Sequence, residues 1–304
     1  MNWMNFNGSF EEIREEKRKE IEKLLNDRLP KAEGPQAKVI EAMRYSVMAG
    51  GKRLRPMLLK EAYVLFGGAG DKADAFMAAL EYIHNYSLVH DDLPAMDNDE
   101  YRRGRKTTHV VYGEDLAILA GDALLNYAYE TAASALVKYQ GDSSVCRAFS
   151  ILAQKAGIFG MVGGQCVDVM NENRQEPLSM EEILFIHENK TAALIECALM
   201  CGAVLAGANE EQTALMEKVG SDIGLAFQIQ DDILDVTGTF EELGKPIGSD
   251  EKNQKATYLS LAGMEQSKAR VQSLSDEAVG ILQNLGVRNE FLEELVLSLI
   301  SRRS

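Results

Sequence analysis

Helical periodicity runs through almost the whole chain and restricts its fold more than any other feature. Apolar residues recur at three- and four-residue intervals, and Ser9 with Glu12 forms a capping box before the first such segment. No alternating strand pattern bounded by hairpin turns is found, so we expect an all-α fold. The later helices are predicted from about Gln36 to Gly50, from after Pro56 to Gly67, and over residues 72–92, 114–139, 143–171, 179–207, 210–236, 254–285 and 288–302.

The composition favours one domain over residues 1–304. Hydrophobic residues make up 46% of the 304, and no low-complexity linker divides them. The formal net charge of -15 argues against nucleic acid as a partner, because phosphate backbones bind basic surfaces. An acidic protein that binds phosphate groups needs bridging cations or a local basic pocket.

The cysteines and the N-terminus predict a cytoplasmic protein. The four cysteines form no CxxC pair, which favours buried thiols in a reducing compartment. The first residues are acidic and amphipathic, unlike a signal peptide. No uninterrupted apolar run approaches the roughly 20 residues needed to cross a bilayer, so no stable membrane insertion is expected.

Two clusters of aspartates each follow a long apolar helix. The clusters are Asp91, Asp92 and Asp97, and Asp231, Asp232 and Asp235. Pro94 disfavours helical geometry before it, so the first helix should end near Asp92. In the second cluster, helical spacing places Asp235 about 40° from Asp231 and about 60° from Asp232. The three carboxylates therefore project from one side of a helix.

Carboxylates at a helix C-terminus face the negative end of the helix dipole, and like charges add to the cost. Either cluster alone could be a solvated acidic turn. Two of them favour a cation site, and Mg²⁺ fits hard oxygen ligands that leave positions for water or phosphate. No histidine is interleaved with them at metal-ligand spacing, which disfavours zinc.

Basic residues recur beside both clusters. Gly50 to Pro56 places three cations in a glycine turn that leads into a helix start, where anions bind. Arg102 and Arg103 follow the first cluster, Lys245 follows the second, and Lys190 interrupts an apolar helix. His84 lies seven residues before Asp91, on the same helix face. This pattern indicates two diphosphate subsites, one with Mg²⁺ and one with cationic side chains alone.

Five motifs in order resemble the trans-prenyl diphosphate synthases, most of all the bacterial farnesyl diphosphate synthases. They are GGKRLRP at 50–56, DDLPAMD at 91–97 followed by RRG, KT at 190–191, FQIQDDILD at 227–235, and GKPIGSD…KATY at 244–258. The resemblance implies the isoprenoid synthase fold, an antiparallel helix bundle around a deep central pocket, as a homodimer. It also implies head-to-tail condensation of isopentenyl diphosphate with an allylic diphosphate.

The same resemblance assigns roles to individual residues. Mg²⁺, three ions with substrate bound, would be held by Asp91, Asp92, Asp97, Asp231, Asp232 and Asp235. The allylic diphosphate would be held by Arg102, Lys190 and Lys245. Isopentenyl diphosphate would be held by Lys52, Arg55, His84 and Arg103. Thr191 and Gln228 would face the reacting carbons, with Lys190 as a third catalytic residue.

Product length follows from the residues before the first cluster. Tyr86 and Ser87, five and four positions before Asp91, resemble the chain-length residues of farnesyl diphosphate synthases, in which a bulky side chain closes the pocket floor. On a helical wheel Ser87 lies about 40° from Asp91, whereas Tyr86 lies about 140° away. The alternatives are a geranylgeranyl or geranyl diphosphate synthase, or an inactive partner subunit of a prenyl synthase.

Overall fold

The computed structural model describes Trp3 and residues 8–172, 178–237 and 257–300, and the fold they form is all-α. The elements are α1 Phe10–Arg28, α2 Ala37–Val47, α3 Leu54–Leu65, α4 Asp74–Asp91, β1 Tyr101–Arg102, β2 Arg105–Lys106, α5 Thr108–Tyr112, α6 Glu114–Lys138, α7 Ser143–Ala156, α8 Met161–Glu172, α9 Met180–Ile186, a π-helical turn His187–Ala192, α10 Ala193–Leu205, α11 Glu210–Thr237, α12 Tyr258–Ala262, α13 Met264–Asn284 and α14 Glu290–Ile300.

Local signals fix several boundaries. The capping box of Ser9 and Glu12 is present, and α1 begins at the next residue, as predicted. Helix α4 ends at Asp91, close to the end predicted from Pro94. Helix α3 begins at Leu54, earlier than expected, and takes Pro56 into its first turn. The missing amide of a proline costs nothing there, because amides of the first turn have no partner within the helix.

Tight turns interrupt the chain where the periodicity suggested continuity. The expected helix over 143–171 is two helices, because a turn at 157–160 separates α7 from α8. The expected helix over 179–207 contains the π-helical turn, and Gly263 separates α12 from α13. The strands β1 and β2 form a two-stranded antiparallel hairpin that the sequence did not predict. Strands of two residues are too short to show an alternating pattern.

Helix α10 lies at the centre of the core. It is buried almost throughout and packs against α3, α7 and α11, while α4 packs against α6. Glycines allow close approach at two of these contacts. A Cβ on Gly202 would come 2.7 Å from Ala62 Cβ on α3, and one on Gly220 of α11 would come 2.5 Å from Glu196 Cα. Such contacts explain the helical glycines as packing residues.

One described stretch, Ser143–Asn171, is long and apolar enough to cross a bilayer, by length and composition only. This qualifies the expectation that no segment could do so. The stretch is broken at 157–160, and a non-helical turn exposed to lipid would leave backbone groups unsatisfied. The stretch is therefore weak evidence for a membrane span.

Candidate active site

The first aspartate cluster is drawn together by the loop after α4. The backbone N–H of Asp97 donates to the carbonyl oxygen of Asp91 at 2.9 Å, so the chain folds back on the helix end. Burial raises the pKa of Asp91 to about 6; nearby Lys190 opposes this shift and Asp97 adds to it. A cation at Asp91 would relieve this unfavourable burial of charge.

Asp92 faces a different partner. Both Nε and Nη2 of Arg102 lie 2.7 Å from Asp92 Oδ1, and Asp92 is buried. Burial raises the pKa of Asp92, and the charge of Arg102 opposes that shift. The hairpin presents Arg102 to this carboxylate, through a turn in which Arg103 adopts a positive φ of 54°. A predicted metal ligand and a predicted diphosphate ligand are thus paired with each other in this state.

The second cluster lies in the last turns of α11. Asp231 is half-buried, and Asp232 and Asp235 are buried. The backbone N–H of Tyr258 donates to Asp232 Oδ2 at 3.0 Å, which ties the start of α12 to α11. Asp232 therefore has a structural contact that its sequence position did not reveal.

The π-helical turn brings the two halves of the site into one neighbourhood. Lys190 Nζ donates to Asp168 Oδ2 on α8 at 2.5 Å and lies near enough to Asp91 to affect its pKa. Thr191 Oγ1 donates to Gln228 Oε1 on α11 at 2.9 Å, three residues before Asp231. A π turn holds one more residue than an α turn and is frequent at functional sites. It lets consecutive side chains reach different helices.

A second cationic group surrounds His84. Arg55 Nη1 lies 3.3 Å from His84 Nε2. Burial, then the charges of Arg55 and Arg103, hold the pKa of His84 well below its usual range, so the ring is neutral at pH 7. Burial lowers the pKa of Arg55 to about 10, which leaves it charged at pH 7. In the described part of the chain, Arg55 Nε is buried without a hydrogen-bond partner.

The glycine turn before α3 makes room for Arg103, the other arginine of this cationic group. Arg103 donates to the carbonyl oxygen of Gly50, and a Cβ on Gly51 would lie 2.6 Å from Arg103 Nη1. Gly51 also has a φ of 125°, which side chains rarely adopt. Lys52, in the same turn, is exposed. Arg103 lies near enough to Arg55 for its charge to lower the pKa of Arg55. Two guanidinium groups beside a neutral imidazole make a site that suits an anion without a metal.

Arg53, in the same motif, is structural. It is buried at the N-terminal boundary of α3, where its Nη1 donates to Glu81 Oε1 at 2.8 Å and its Nη2 to the carbonyl oxygen of Val47. Removing one partner of such a buried pair leaves the other charge buried without a counter-charge. Arg53 therefore stabilises the backbone that carries the other two cationic residues of the turn, Lys52 and Arg55.

Tyr86 and Ser87 have different surroundings on α4. The Tyr86 ring is only 7% exposed and packs edge-on against His90, with ring centroids 5.8 Å apart. Burial, with smaller effects from Tyr129 and Asp91, raises the pKa of Tyr86 to about 12. Ser87 Oγ donates back to the carbonyl oxygen of His84 at 3.0 Å, within its own helix. Tyr86 is the bulkier and more buried of the two.

Two polar residues of α8 were not identified from the sequence. Asp168 accepts the hydrogen bond from Lys190, and Gln165 Nε2 donates to Asp91 Oδ1 at 2.8 Å. A sequence signal was available, since Gln165 and Asp168 are three residues apart and share a face of a helical segment. Their partners are distant along the chain, and pattern reasoning does not link them.

The side chains of the described residues show whether the predicted metal site fits Mg²⁺. Among the described residues, no three histidine, cysteine or carboxylate side chains converge to hold a metal alone. Mg²⁺ characteristically binds one or two carboxylates and completes its shell with water and substrate phosphate. The hard oxygens of Asp91 and Asp97 therefore fit Mg²⁺ as a partial ligand set. Lys245 lies outside the described residues.

The chain matches known proteins over most of its length. The polyprenyl synthetase family model matches residues 36–287. A geranylgeranyl diphosphate synthase of Cyanophora paradoxa is 46% identical over 263 residues, 86% of each chain. A farnesyl diphosphate synthase of Geobacillus stearothermophilus is 43% identical over 264 residues, 86% of this chain and 88% of that one.

Solved structures give the same result. An FPP/GFPP synthase from Zymomonas mobilis superposes with a TM-score of 0.85 at 33% identity, covering 96% of this chain and 99% of that one. A geranyltransferase from Helicobacter pylori, complexed with magnesium and isoprenyl diphosphate, superposes with a TM-score of 0.81 at 32% identity and covers 97% and 98%. The chain therefore belongs to the polyprenyl synthetase family and is a trans-prenyl diphosphate synthase, a prenyltransferase with the all-α fold of that family.

Proposed function

We propose that the enzyme is a farnesyl diphosphate synthase, which condenses isopentenyl diphosphate with dimethylallyl and then geranyl diphosphate. The observation that carries the product assignment is the buried ring of Tyr86, five residues before Asp91. A bulky, buried side chain at this position limits the room for the growing prenyl chain. The relatives include both farnesyl and geranylgeranyl synthases, so product length rests on Tyr86.

The proposed ligands of the allylic substrate lie at the end of α4, in the hairpin and in the π turn. Asp91 and Asp97 take the leading role in holding Mg²⁺, with Asp231, Asp232 and Asp235 for a third ion and Asp92 in support. The family uses Mg²⁺, which when bound draws negative charge from the leaving diphosphate. Lys190, Arg102 and Lys245 hold the diphosphate, and Arg102 exchanges its pairing with Asp92 for the substrate.

Isopentenyl diphosphate occupies the cationic group of Lys52, Arg55, His84 and Arg103. Two observations support this assignment: the buried Nε of Arg55 has no hydrogen-bond partner among the described residues, and Arg55 and Arg103 repel each other. Both are relieved by a bound anion. A neutral His84 contributes a hydrogen bond without competing for the charge.

The reacting carbons lie beside the hydrogen bond of Thr191 to Gln228. After the allylic C–O bond ionises, the isopentenyl double bond attacks the allylic carbon, and the departed diphosphate takes the released proton. The oxygens of Thr191 and Gln228 are held together by their 2.9 Å hydrogen bond. Oriented oxygen dipoles stabilise a developing cation without forming a covalent bond to it.

The molecule is proposed to act as a homodimer in the cytoplasm, with residues 1–304 as one polyprenyl synthetase domain. Support for a second copy comes from large apolar side chains exposed on α6 and on the turn between α7 and α8. They include Leu119, 51% exposed, and Phe159, 80% exposed. Exposed apolar groups of this size mark interaction surfaces.

The assignment is tested by the length of the product formed from isopentenyl and dimethylallyl diphosphates, with and without Mg²⁺. A Mg²⁺-dependent fifteen-carbon product is expected. A twenty-carbon product would keep the chemistry and replace the product assignment with geranylgeranyl diphosphate. No product from folded protein would favour the inactive partner subunit.

A further inference from the structure

Gln165 lies on α8, a helix that carries neither aspartate cluster, and it contacts the first cluster. Its Nε2 donates to Asp91 Oδ1 at 2.8 Å, across 74 positions of sequence. An ionised carboxylate only accepts hydrogen bonds, so the amide must turn its NH₂ group toward Asp91. This contact fixes the orientation of the amide and directs the carbonyl oxygen elsewhere.

That carbonyl oxygen, Gln165 Oε1, is buried and has no hydrogen-bond partner in the described part of the chain. A buried acceptor without a donor destabilises the folded state, because the hydrogen bond it made to water in the unfolded chain is not replaced. Such an atom beside a cluster of carboxylates calls for a donor that the described part of the chain does not supply. Water bound to a cation is such a donor, because its lone pair is engaged by the ion and its hydrogens are free.

We propose that Gln165 is a positioning residue for the metal site: its Nε2 holds the Asp91 carboxylate in place, and its Oε1 accepts a hydrogen bond from a water bound to Mg²⁺. Mg²⁺ keeps several of its waters when proteins bind it. Groups that orient metal ligands without touching the metal strongly affect affinity. This inference rests on the proposed role of Asp91 as a Mg²⁺ ligand.

A purely structural role for Gln165, joining α8 to the rest of the core, is less well supported. Helix α8 already has two other ties to the π turn. Asp168 accepts from Lys190 Nζ, and Gly164 lies against the backbone of Lys190, where a Cβ would come 2.8 Å from its Cα. Loss of the Gln165 amide should therefore leave α8 in place and act on the metal site.

The test compares Gln165→Met with Gln154→Met, which alters an exposed glutamine on α7. Methionine has a similar length but cannot donate or accept the hydrogen bonds. Binding of Mn²⁺ to the full chain, with inorganic diphosphate present, is followed by electron paramagnetic resonance. Gln165→Met should bind Mn²⁺ about tenfold more weakly and need more Mg²⁺ for half-maximal velocity, while Gln154→Met matches the wild type. Unchanged Mn²⁺ binding in Gln165→Met would overturn the proposal.

Asp91→Asn separates this inference from the proposed function beneath it. If Asp91→Asn does not weaken Mn²⁺ binding, the proposed metal site fails and Gln165 has nothing to position. If Asp91→Asn weakens binding and Gln165→Met does not, the role of Gln165 alone is refuted. Should Gln165→Met fold poorly, Gln165→Asn keeps the amide but shortens its reach. It should weaken Mn²⁺ binding as well, and wild-type binding would overturn the proposal.

Discussion

Gly164 on α8 and Lys190 in the π turn lie with their backbones in direct contact. A Cβ added to Gly164 would overlap the amide nitrogen of Lys190 and come 2.8 Å from its Cα. No side chain fits between the two segments, so the π turn can lie at this position only because residue 164 is a glycine. The π turn then places the Lys190 side chain against Asp168 and the Thr191 side chain against Gln228.

Gly164→Ala is therefore expected to lower activity by displacing the π turn. Overpacking of this kind costs about 1–3 kcal/mol of unfolding free energy, and kcat should fall by more than the loss of folded protein explains. The control is Gly280→Ala on α13, where a Cβ meets no atom of the described residues within 4 Å. That variant should be more stable by about 0.4–1 kcal/mol and fully active. Urea unfolding and steady-state kinetics measure both, and wild-type kcat in Gly164→Ala would contradict the prediction.

Asp168→Asn should raise KM for the allylic substrate and leave KM for isopentenyl diphosphate nearly unchanged. The substitution removes the carboxylate that pairs with Lys190, so a long and partly exposed side chain loses its fixed position. A charged hydrogen bond is worth about 1.5–3 kcal/mol, so a rise of about tenfold is expected. The matched control is Asp142→Asn, which weakens the pair with Lys72 at the start of α7 and keeps a good N-cap. Equal changes in both KM values would contradict a selective role.

Tyr86→Ala should lengthen the product from fifteen to twenty carbons or more. Removing a buried aromatic ring leaves a cavity that a longer chain can enter, at a cost of about 3–5 kcal/mol in stability. Chromatography of the products measures the effect, at a temperature where circular dichroism shows folded protein. Tyr139→Ala, at the C-terminal end of α6, is the control and should keep the wild-type product. An unchanged product from folded Tyr86→Ala would remove Tyr86 from the pocket floor.

Acidification should destabilise the fold through His187. Burial lowers the pKa of His187 to about 4, from an ordinary value of 6.5, and the charge of Asp168 only partly offsets this. Between these values the unfolded chain binds more protons than the folded one, so stability falls as pH falls from 6.5 toward 4. His187 alone should remove about 2 kcal/mol of unfolding free energy between pH 7 and pH 5.

Urea unfolding at the two pH values checks this, with His187→Gln for comparison. The variant lacks the titrating ring and should lose correspondingly less stability on acidification. The same loss in both proteins would show that other groups carry the pH dependence.

Much of the fold and of the candidate site could be predicted from the sequence, because these features depend on the spacing of residues close together along the chain. Helical periodicity predicted the class, and Pro94 predicted the end of α4 at the first cluster. The breaks inside longer helices were missed, since the turn at 157–160 keeps apolar residues on both sides. The hairpin that carries Arg102 was missed because two-residue strands leave no pattern.

The sequence by itself determined the all-α class, the two aspartate clusters and the ordered motifs of the family, since each is a matter of residue type and nearby spacing. Only the tertiary structure decided which of these residues face one another. It buries Arg53 against Glu81 while Arg55 faces His84, and it pairs Asp92 with Arg102. The physical reason is that hydrogen bonds and burial depend on distances between segments far apart along the chain, which helix packing sets.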